Sequence, residues 1–165
     1  MVGPRKSICH TLSEVYDIDK LQQEVKNLAY EYGWCQNQIS LQSPDGNFHE
    51  GTGRVAGLKF EESEYTSQNI PDDWEISRFI SNHNLYRTRI MRLMPKACYS
   101  MHSDSSKRVH LPVKTYWKCK LIIDDNVYHL EANGSAYLVD TTKIHTAFNG
   151  TRDIERIHIV GCITT

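Results

Sequence analysis

The sequence predicts a mainly β fold of the α+β class, in which an antiparallel sandwich or barrel carries amino-terminal helices on one outer face. From Tyr86 onward, seven short segments rich in Val, Ile, Tyr, Thr and Leu follow one another, as in antiparallel sandwiches and barrels. Turn sequences separate them, notably Asp124-Asp125-Asn126 and Asn133-Gly134, and Asn-Gly between two strands is a strong hairpin signal. Ahead of this β region, residues 18–32 have the apolar spacing of an amphipathic helix.

The first helix is predicted over residues 18–32. Asp19 with Gln22 three residues later resembles a capping box, and Gly33 suits the position just past the helix end. The apolar residues that recur at helical spacing, and would share one face, are Ile18, Leu21, Val25, Leu28, Ala29 and Tyr32. This face is expected to pack against the β region.

The rest of the amino-terminal half is predicted to be mostly loop. Trp34–Leu41 is predicted as a strand, Ser43–Gly57 as a long loop rich in Gly and Pro, and Asp72–Asn82 as a second short helix. Because the chain leaves little protein outside the β region, the loops Gly46–Gly57 and Glu61–Pro71 are expected to define a substrate site.

The carboxy-terminal half is predicted to hold the sheet strands. In chain order they are Tyr86–Met94, Tyr99–Asp104, Val109–Lys114, Trp117–Ile123, Val127–Glu131, Ser135–Val139 and Arg156–Ile163. The length of 165 residues favours one domain, 1–165, in which 1–85 supplies helices, a strand and loops, and 86–163 supplies the β core.

Composition narrows the function classes. A formal net charge of -1 gives no basic face of the kind that grips nucleic acid. The five cysteines are odd in number and form no C-x-x-C, which disfavours a disulfide scaffold or a structural zinc site and favours a reducing compartment. Residues 1–10 have no apolar core of signal-peptide type, and no segment approaches the ~20 apolar residues that span a bilayer. We therefore expect a soluble, cytoplasmic protein with no membrane partner.

One candidate metal site stands out. His102 and Asp104 are two residues apart in a predicted strand, so both side chains would leave the same face. His145, 41 residues beyond Asp104, could join them from a neighbouring strand. Two histidines and one carboxylate leave coordination positions open, as non-heme iron(II) requires. The pair alone is weak evidence, because 8 His and 10 Asp in this chain give about 0.5 such pairs by chance; without the third residue, His102 could be a surface strand residue and Asp104 a turn former.

The surrounding sequence resembles the aspartyl/asparaginyl β-hydroxylase family of iron(II)- and 2-oxoglutarate-dependent oxygenases, to which bacterial proline hydroxylases are related. The resemblance lies in segments 91–95 (MRLMP), 99–104 (YSMHSD), 108–112 (RVHLP), 145–149 (HTAFN) and 156–160 (RIHIV), which occur in the order of the family. It covers Tyr86–Cys162 and implies a double-stranded β-helix, the cupin-like jelly-roll barrel of eight strands with iron inside one end.

The resemblance also implies roles for individual residues. His102, Asp104 and His145 match the metal ligands of the family, which are its catalytic residues, and Asn149 matches an asparagine commonly found after the second histidine. Arg156 matches the arginine that binds the far carboxylate of 2-oxoglutarate.

The separation of His145 and Arg156 is one residue longer than is usual in the family. Arg152 is therefore an alternative anchor, although it lies in a turn-like sequence rather than in a strand.

Two further pairs are predicted to face the cosubstrate. Arg108 and His110 match an R-x-H pair of the family, and strand alternation puts Arg108 with His110, and Arg156 with His158, on common faces. Inward polar pairs are unfavourable without partners, which indicates a ligand between them.

Taken together, the resemblance implies a dioxygenase that uses Fe(II), 2-oxoglutarate and O2 to hydroxylate an amino acid or a peptide residue of Asp, Asn or Pro type. A cupin-like metal enzyme without 2-oxoglutarate and a catalytically silent β-barrel binding module are the alternatives. Asp104 counts against the first, since such enzymes prefer histidine ligands. The sequence leaves open whether Arg87 and Arg89 form a solvated face or whether Arg89 contacts an anionic substrate.

Overall fold

The computed structural model describes residues 7–164, so the amino-terminal stretch considered above lies partly outside the described residues. The helices are α1 (Ile18–Tyr32) and α2 (Glu75–Asn82), with single 3₁₀ turns at Val55–Gly57 and Glu62–Glu64. The strands are β1 (Cys9–Val15), β2 (Gln38–Ser40), β3 (Tyr86–Leu93), β4 (Arg108–Lys114), β5 (Cys119–Ile123), β6 (Asn126–Tyr128), β7 (Ser135–Val139), β8 (His145–Asn149) and β9 (Arg156–Cys162).

Helix α1 has the bounds that the periodicity predicted, but its cap lies two residues earlier than expected. The Asp17 carboxylate accepts the backbone N–H of Asp19 at 3.1 Å and of Lys20 at 3.2 Å, so Asp17 rather than Asp19 is the N-cap. At the other end Gly33 has φ 68° and donates its N–H to Ala29 O at 3.1 Å.

Helix α2 begins three residues later than predicted, and α1 supplies its cap. The carboxylate of Glu24 on α1 accepts the N–H groups of Glu75 at 2.8 Å and of Ile76 at 3.0 Å. This tertiary cap has no local sequence signal. It fixes the two helices against each other on one outer face of the protein.

The strands form two antiparallel sheets. The larger sheet has the order β1-β7-β4-β9-β3-β2 and the smaller has the order β6-β5-β8. Residues 97–102 are extended beside β8, where the N–H of Tyr99 donates to Ala147 O at 3.0 Å. With this segment counted, the smaller sheet has four strands, and β1 and β2 lie at the two edges of the larger sheet outside its four central strands. These four and the four of the smaller sheet are the eight strands of the double-stranded β-helix, and this fold is confirmed.

Two apolar clusters lie on either side of the larger sheet. The outer cluster packs that sheet against α1 and α2, and includes Ile157 and Ile159 of β9. The inner cluster joins the two sheets, with Leu93 facing Leu121 and Ile123. Every residue of β9 is buried, so the residues that alternate with the outer isoleucines lie between the sheets.

The strand assignment from sequence was wrong at three places. β1 and β8 were not predicted, and the predicted strand Tyr99–Asp104 is an irregular extended segment with isolated bridges at Cys98 and His102. Among residues 7–164, no helix combines the length and the apolar character required to traverse a bilayer.

Candidate metal centre and basic interior

The three predicted ligands converge at one end of the barrel. His102 and His145 face each other across the junction of the 97–102 segment and β8, with ring centroids 4.3 Å apart. Asp104 lies between them: its Oδ1 is 3.9 Å from His102 Nε2, and its Oδ2 is 3.6 Å from His145 Nε2. One donor atom from each residue lies within 4.8 Å of the others. Two ligand atoms about 2.1 Å from one ion can be at most about 4.2 Å apart, so small adjustments would close this set around a metal.

Backbone carbonyls set the tautomer of both histidines. The Nδ1–H of His102 donates to Ser100 O at 2.7 Å, and the Nδ1–H of His145 donates to Lys143 O at 2.9 Å. Each Nε2 therefore keeps its lone pair and faces Asp104. This is the protonation pattern that a metal-binding imidazole needs.

The carboxylate position is held by the β7–β8 connection. Asp104 donates its N–H to Thr141 O at 2.8 Å, and the Thr141 hydroxyl donates to Ser106 O at 2.9 Å. His145 is buried and His102 is half exposed, so the centre lies at the rim of the barrel. Burial lowers the pKa of His145, while the Lys143 carbonyl and the Asp104 carboxylate act in the opposite direction.

Glu62 is a site residue that the sequence did not reveal. It lies in the 3₁₀ turn of the predicted substrate loop, and its carboxylate pairs with Arg87 and, at 3.4 Å, with Arg108. Burial alone would raise the pKa of Glu62, but Arg108 and Arg87, followed by Arg89, outweigh it and hold the pKa below its ordinary value. The sequence offers no signal for this contact, because 46 residues separate Glu62 from Arg108.

Arg108 connects the loop to the metal centre. Its Nε lies 3.4 Å from Asp104 Oδ2, and its Nη1 donates to Ser106 Oγ at 2.7 Å and to the thiol sulfur of Cys162. Arg108 thus connects Glu62, Ser106 and Asp104, and its role beside the cosubstrate stays a prediction.

His110 and His158 meet in the centre of the larger sheet. Their Nδ1 atoms are 3.3 Å apart, so one imidazole N–H donates to the other ring. Burial, followed by the positive charge of Arg156, lowers the pKa of each well below its ordinary value, and both are neutral at pH 7. His158 Nε2 is buried without a hydrogen-bond partner among the described residues.

Arg156 is buried between the two sheets without an acidic partner in the described chain. It is 4% exposed, its Nε has no hydrogen-bond partner, and no ion pair to it occurs within residues 7–164. Burial lowers its pKa. The alternative residue, Arg152, is exposed in the β8–β9 turn. An uncompensated buried guanidinium indicates a site for an anion.

Asn149 holds the turn that precedes Arg156. Its side-chain amide donates to Leu93 O at 3.0 Å and to Ile154 O at 2.7 Å, and its oxygen accepts the N–H of Thr151 at 3.0 Å. The residue that matched the family asparagine therefore has a structural task here, which is to position the start of β9.

The donor set and the interior suit a metal ion beside an anion. Two neutral imidazoles and a carboxylate match the ligand preference of iron(II), and their placement on one side leaves the opposite side accessible. The unpartnered Arg156 would face an acidic group of a molecule bound between the sheets. The three donors therefore fit a metal ion, and the interior beside Arg156 fits an anionic group.

Sequence comparison gives a family match over nearly the whole chain. The family described as aspartyl/asparaginyl beta-hydroxylase matches residues 11–163. A comparison with curated proteins finds no match.

Comparison with solved structures supports the fold. A prolyl-4-hydroxylase from Pseudomonas putida is similar over 96% of this chain and 93% of that chain, with a TM-score of 0.57 and 12% identity. AviO1 from Streptomyces viridochromogenes Tue57 is similar over 95% and 89%, with a TM-score of 0.53 and 11% identity. A partial match to an oxidoreductase of the 2OG-Fe(II) oxygenase family from Burkholderia pseudomallei covers 47% of this chain but only 42% of that chain, with a TM-score of 0.39 and 16% identity.

Proposed function

Because the chain belongs to the aspartyl/asparaginyl beta-hydroxylase family, we propose that it is an iron(II)- and 2-oxoglutarate-dependent dioxygenase that hydroxylates an unactivated C–H bond. The substrate class proposed is an amino acid or a peptide residue of Asp, Asn or Pro type. His102, Asp104 and His145 would hold the iron and carry the catalytic role.

The observation that carries the cosubstrate proposal is the unpartnered guanidinium of Arg156. A buried charge without a counter-ion is strongly unfavourable, and 2-oxoglutarate has a carboxylate at the end remote from its keto acid. A guanidinium can bind a carboxylate through two parallel hydrogen bonds. The free Nε2 of His158 lies on the same face of β9 and offers a second polar contact.

Iron and 2-oxoglutarate would supply the oxidation of the C–H bond through dioxygen. The chain itself performs simpler tasks. His102 and His145 present unprotonated Nε2 atoms, Asp104 supplies the negative charge, and Arg108 keeps that carboxylate oriented through the 3.4 Å contact with its Nε. The neutral pair His110 and His158 keeps further positive charge away from Arg156 at pH 7.

Two broader expectations join the proposal. Residues 1–165 would act as one oxygenase domain, with the substrate loops in 1–85 and the metal-binding β core in 86–163. An intracellular setting follows from the cysteine pattern, and all five cysteines are free thiols in the described part of the chain.

An aerobic turnover assay tests the proposal. Protein with iron(II) and ascorbate is expected to convert 2-oxoglutarate to succinate slowly without substrate, and faster when an amino acid or peptide of a screened panel is accepted. His102→Ala should abolish both rates, whereas His10→Ala, an exposed histidine of β1, should not. A wild-type protein that binds metal but never consumes 2-oxoglutarate would favour the cupin-like alternative, and one that binds neither would favour the silent binding module.

A further inference from the structure

A second arginine between the sheets has no acidic partner. Arg89 on β3 is 6% exposed and pairs in register with Val160 of β9, the strand that carries Arg156. Its neighbour Ile90 packs in the outer cluster, so the alternation of the strand turns Arg89 toward the barrel interior. No carboxylate lies within 4.0 Å of its guanidinium in residues 7–164, because the nearby Glu62 pairs with Arg87 and Arg108.

The hydrogen bonds of Arg89 leave one edge of the guanidinium free. Its Nη1 donates to Gln38 Oε1 at 3.1 Å, while Nε is buried without a partner and Nη2 makes no hydrogen bond in the described chain. The Nε–H and Nη2–H groups of a guanidinium point the same way. They form a two-donor edge that matches the two oxygens of a carboxylate.

The side chains of Arg89 and Arg156 both face the barrel interior, at different positions along β3 and its partner β9. Arg156 pairs in register with Leu93, four residues beyond Arg89. Both arginines, together with Arg108, contribute to lowering the pKa of His110, after the larger effect of its burial. Both unpartnered guanidinium groups therefore lie near His110, and neither has an acidic partner in the described chain.

A glycine loop is hydrogen-bonded to Arg87 and Gln38, beside Arg89. Arg87 donates to Gly51 O at 3.1 Å and to Gly53 O at 2.8 Å, and the N–H of Gly53 donates to Gln38 Oε1 at 3.0 Å. Gly53 has φ +80°, and a Cβ there would approach the Gln36 side chain to 2.9 Å. The loop is thus fixed against the same Gln38 oxygen that Arg89 contacts. Because Arg89 is only 6% exposed, its free edge suits a small acid.

We propose that Arg89, oriented by Gln38, binds the carboxylate of the substrate, and that the substrate is a small carboxylic acid such as a free amino acid rather than an internal residue of a protein. The inference rests on the proposed function, in which Arg156 binds the cosubstrate. Arg89 is then a substrate-specificity residue, and its charge persists at neutral pH because burial lowers its pKa only to about 10.

The first experiment compares acids with their neutral derivatives. The twenty free L-amino acids and a set of simple mono- and dicarboxylic acids are screened for stimulation of succinate release, and each active acid is retested as its methyl ester and its primary amide. At least one free acid should stimulate turnover, and its ester and amide should lose the stimulation. Equal activity of the ester, or activity confined to internal peptide residues or phosphate esters, would overturn the proposal.

The variants Arg89→Gln and Arg89→Lys test the residue, with Arg92→Gln as the matched control. Arg92 lies on the same strand, but it stacks on Trp34 at the surface. Arg89→Gln should raise the KM of the active acid on the order of 100-fold, the loss expected for a buried charge-assisted pair. Arg89→Lys should restore part of it, Arg92→Gln should have no effect, and the affinity for 2-oxoglutarate should stay within about threefold in all three. An unchanged KM, or a loss of 2-oxoglutarate affinity instead, would show that Arg89 does not bind the substrate.

A binding measurement separates this proposal from the proposed function. The same acids are tested for thermal stabilisation of metal-free protein, which needs no turnover. Stabilisation by an acid in wild type that disappears in Arg89→Gln supports the carboxylate site even if 2-oxoglutarate is never consumed. If Arg89 were merely structural, Arg89→Gln would lower the melting temperature of the unliganded protein; as a ligand-binding charge, its removal should leave that temperature unchanged or raise it by about 2–4 °C.

Discussion

His102 and His145 exchange both of their backbone hydrogen bonds. The N–H of His102 donates to His145 O at 3.1 Å, and the N–H of His145 donates to His102 O at 2.8 Å. Residues that pair in this way in an antiparallel ladder lie directly opposite each other, and their side chains leave the same face. A single strand pairing thus brings together two imidazoles that are 43 positions apart in the sequence.

The donor set should bind a divalent metal that stabilises the fold. At a metal concentration of about 100 Kd, binding contributes about 2.7 kcal/mol, which corresponds to a rise of about 5–10 °C in Tm for a chain of this size. Calorimetry of the metal-free protein with manganese(II), or with iron(II) without oxygen, measures it. The rise should vanish in His145→Ala and in Asp104→Ala and persist in His10→Ala.

Removal of the Glu62 carboxylate should destabilise the protein markedly. Glu62→Ala leaves the buried Arg87 without its acidic partner and removes one of the partners of Arg108, for which we expect a loss of about 3 kcal/mol in the free energy of unfolding. Urea denaturation of the metal-free protein measures the change. Asp72→Ala, an exposed carboxylate in a nearby loop, should change the value by less than about 0.5 kcal/mol. Equal effects of both variants would mean that the buried pairing contributes nothing.

Asn149→Ala should lower the free energy of unfolding by about 3 kcal/mol, because the backbone groups of Leu93, Thr151 and Ile154 would lose their buried hydrogen-bond partner together. Asn126→Ala at the exposed start of β6 serves as the control and should be close to neutral. Denaturant unfolding of both variants checks this. A neutral Asn149→Ala would remove the structural role assigned to this amide.

Stability of the metal-free protein should fall as the pH drops below about 6.5. The pKa values of His110 and His158 lie well below the ordinary value because of burial, so the unfolded chain binds protons that the folded chain does not. The neutral pair contributes its full stability above the pKa of an unfolded histidine, and this contribution falls as the pH drops toward the pKa values of the folded state. The expected loss in the free energy of unfolding is about 1 kcal/mol for each histidine between pH 6.5 and 5.5.

Urea unfolding at several pH values measures this loss. In His158→Asn, the loss of stability that one histidine causes on acidification should disappear, whereas His10→Asn should keep the wild-type dependence of stability on pH. A wild-type stability that is flat from pH 7.5 to 5.5 would contradict the neutral state assigned to the buried pair.

Much of the fold could be predicted because its elements have local patterns. The bounds of α1 follow from apolar periodicity, and β7 was predicted with its observed bounds after the Asn133-Gly134 turn signal. β1 was missed because none of its residues is buried, so its edge strand has no apolar face to detect. β8 was missed because two of its three buried positions hold the polar residues His145 and Asn149, so the sequence lacks the apolar alternation of a strand although the burial alternates.

The residues of the candidate site could be predicted from the sequence, but the contacts between them could not. Strand alternation and the family resemblance indicated that Arg108, His110, Arg156 and His158 face inward, and all four are buried there. The partners were not predictable: Glu62, which pairs with Arg87 and Arg108, comes from a loop whose sequence specifies no contact. Whether an arginine lacks a counter-ion depends on the tertiary structure. Arg156 is buried without one, whereas the alternative residue Arg152 is exposed.

The most direct test of the central claim is an anaerobic titration of the protein with iron(II) and 2-oxoglutarate, followed by visible absorption. We expect the weak band of a metal–keto acid chelate in wild type, its loss in His102→Ala, and a marked decrease in the affinity for 2-oxoglutarate in Arg156→Gln, with His10→Ala and Arg152→Gln as matched controls that retain the wild-type response. A folded wild-type protein that binds iron(II) without producing the band, or an Arg152→Gln variant that loses it while Arg156→Gln does not, would contradict the account.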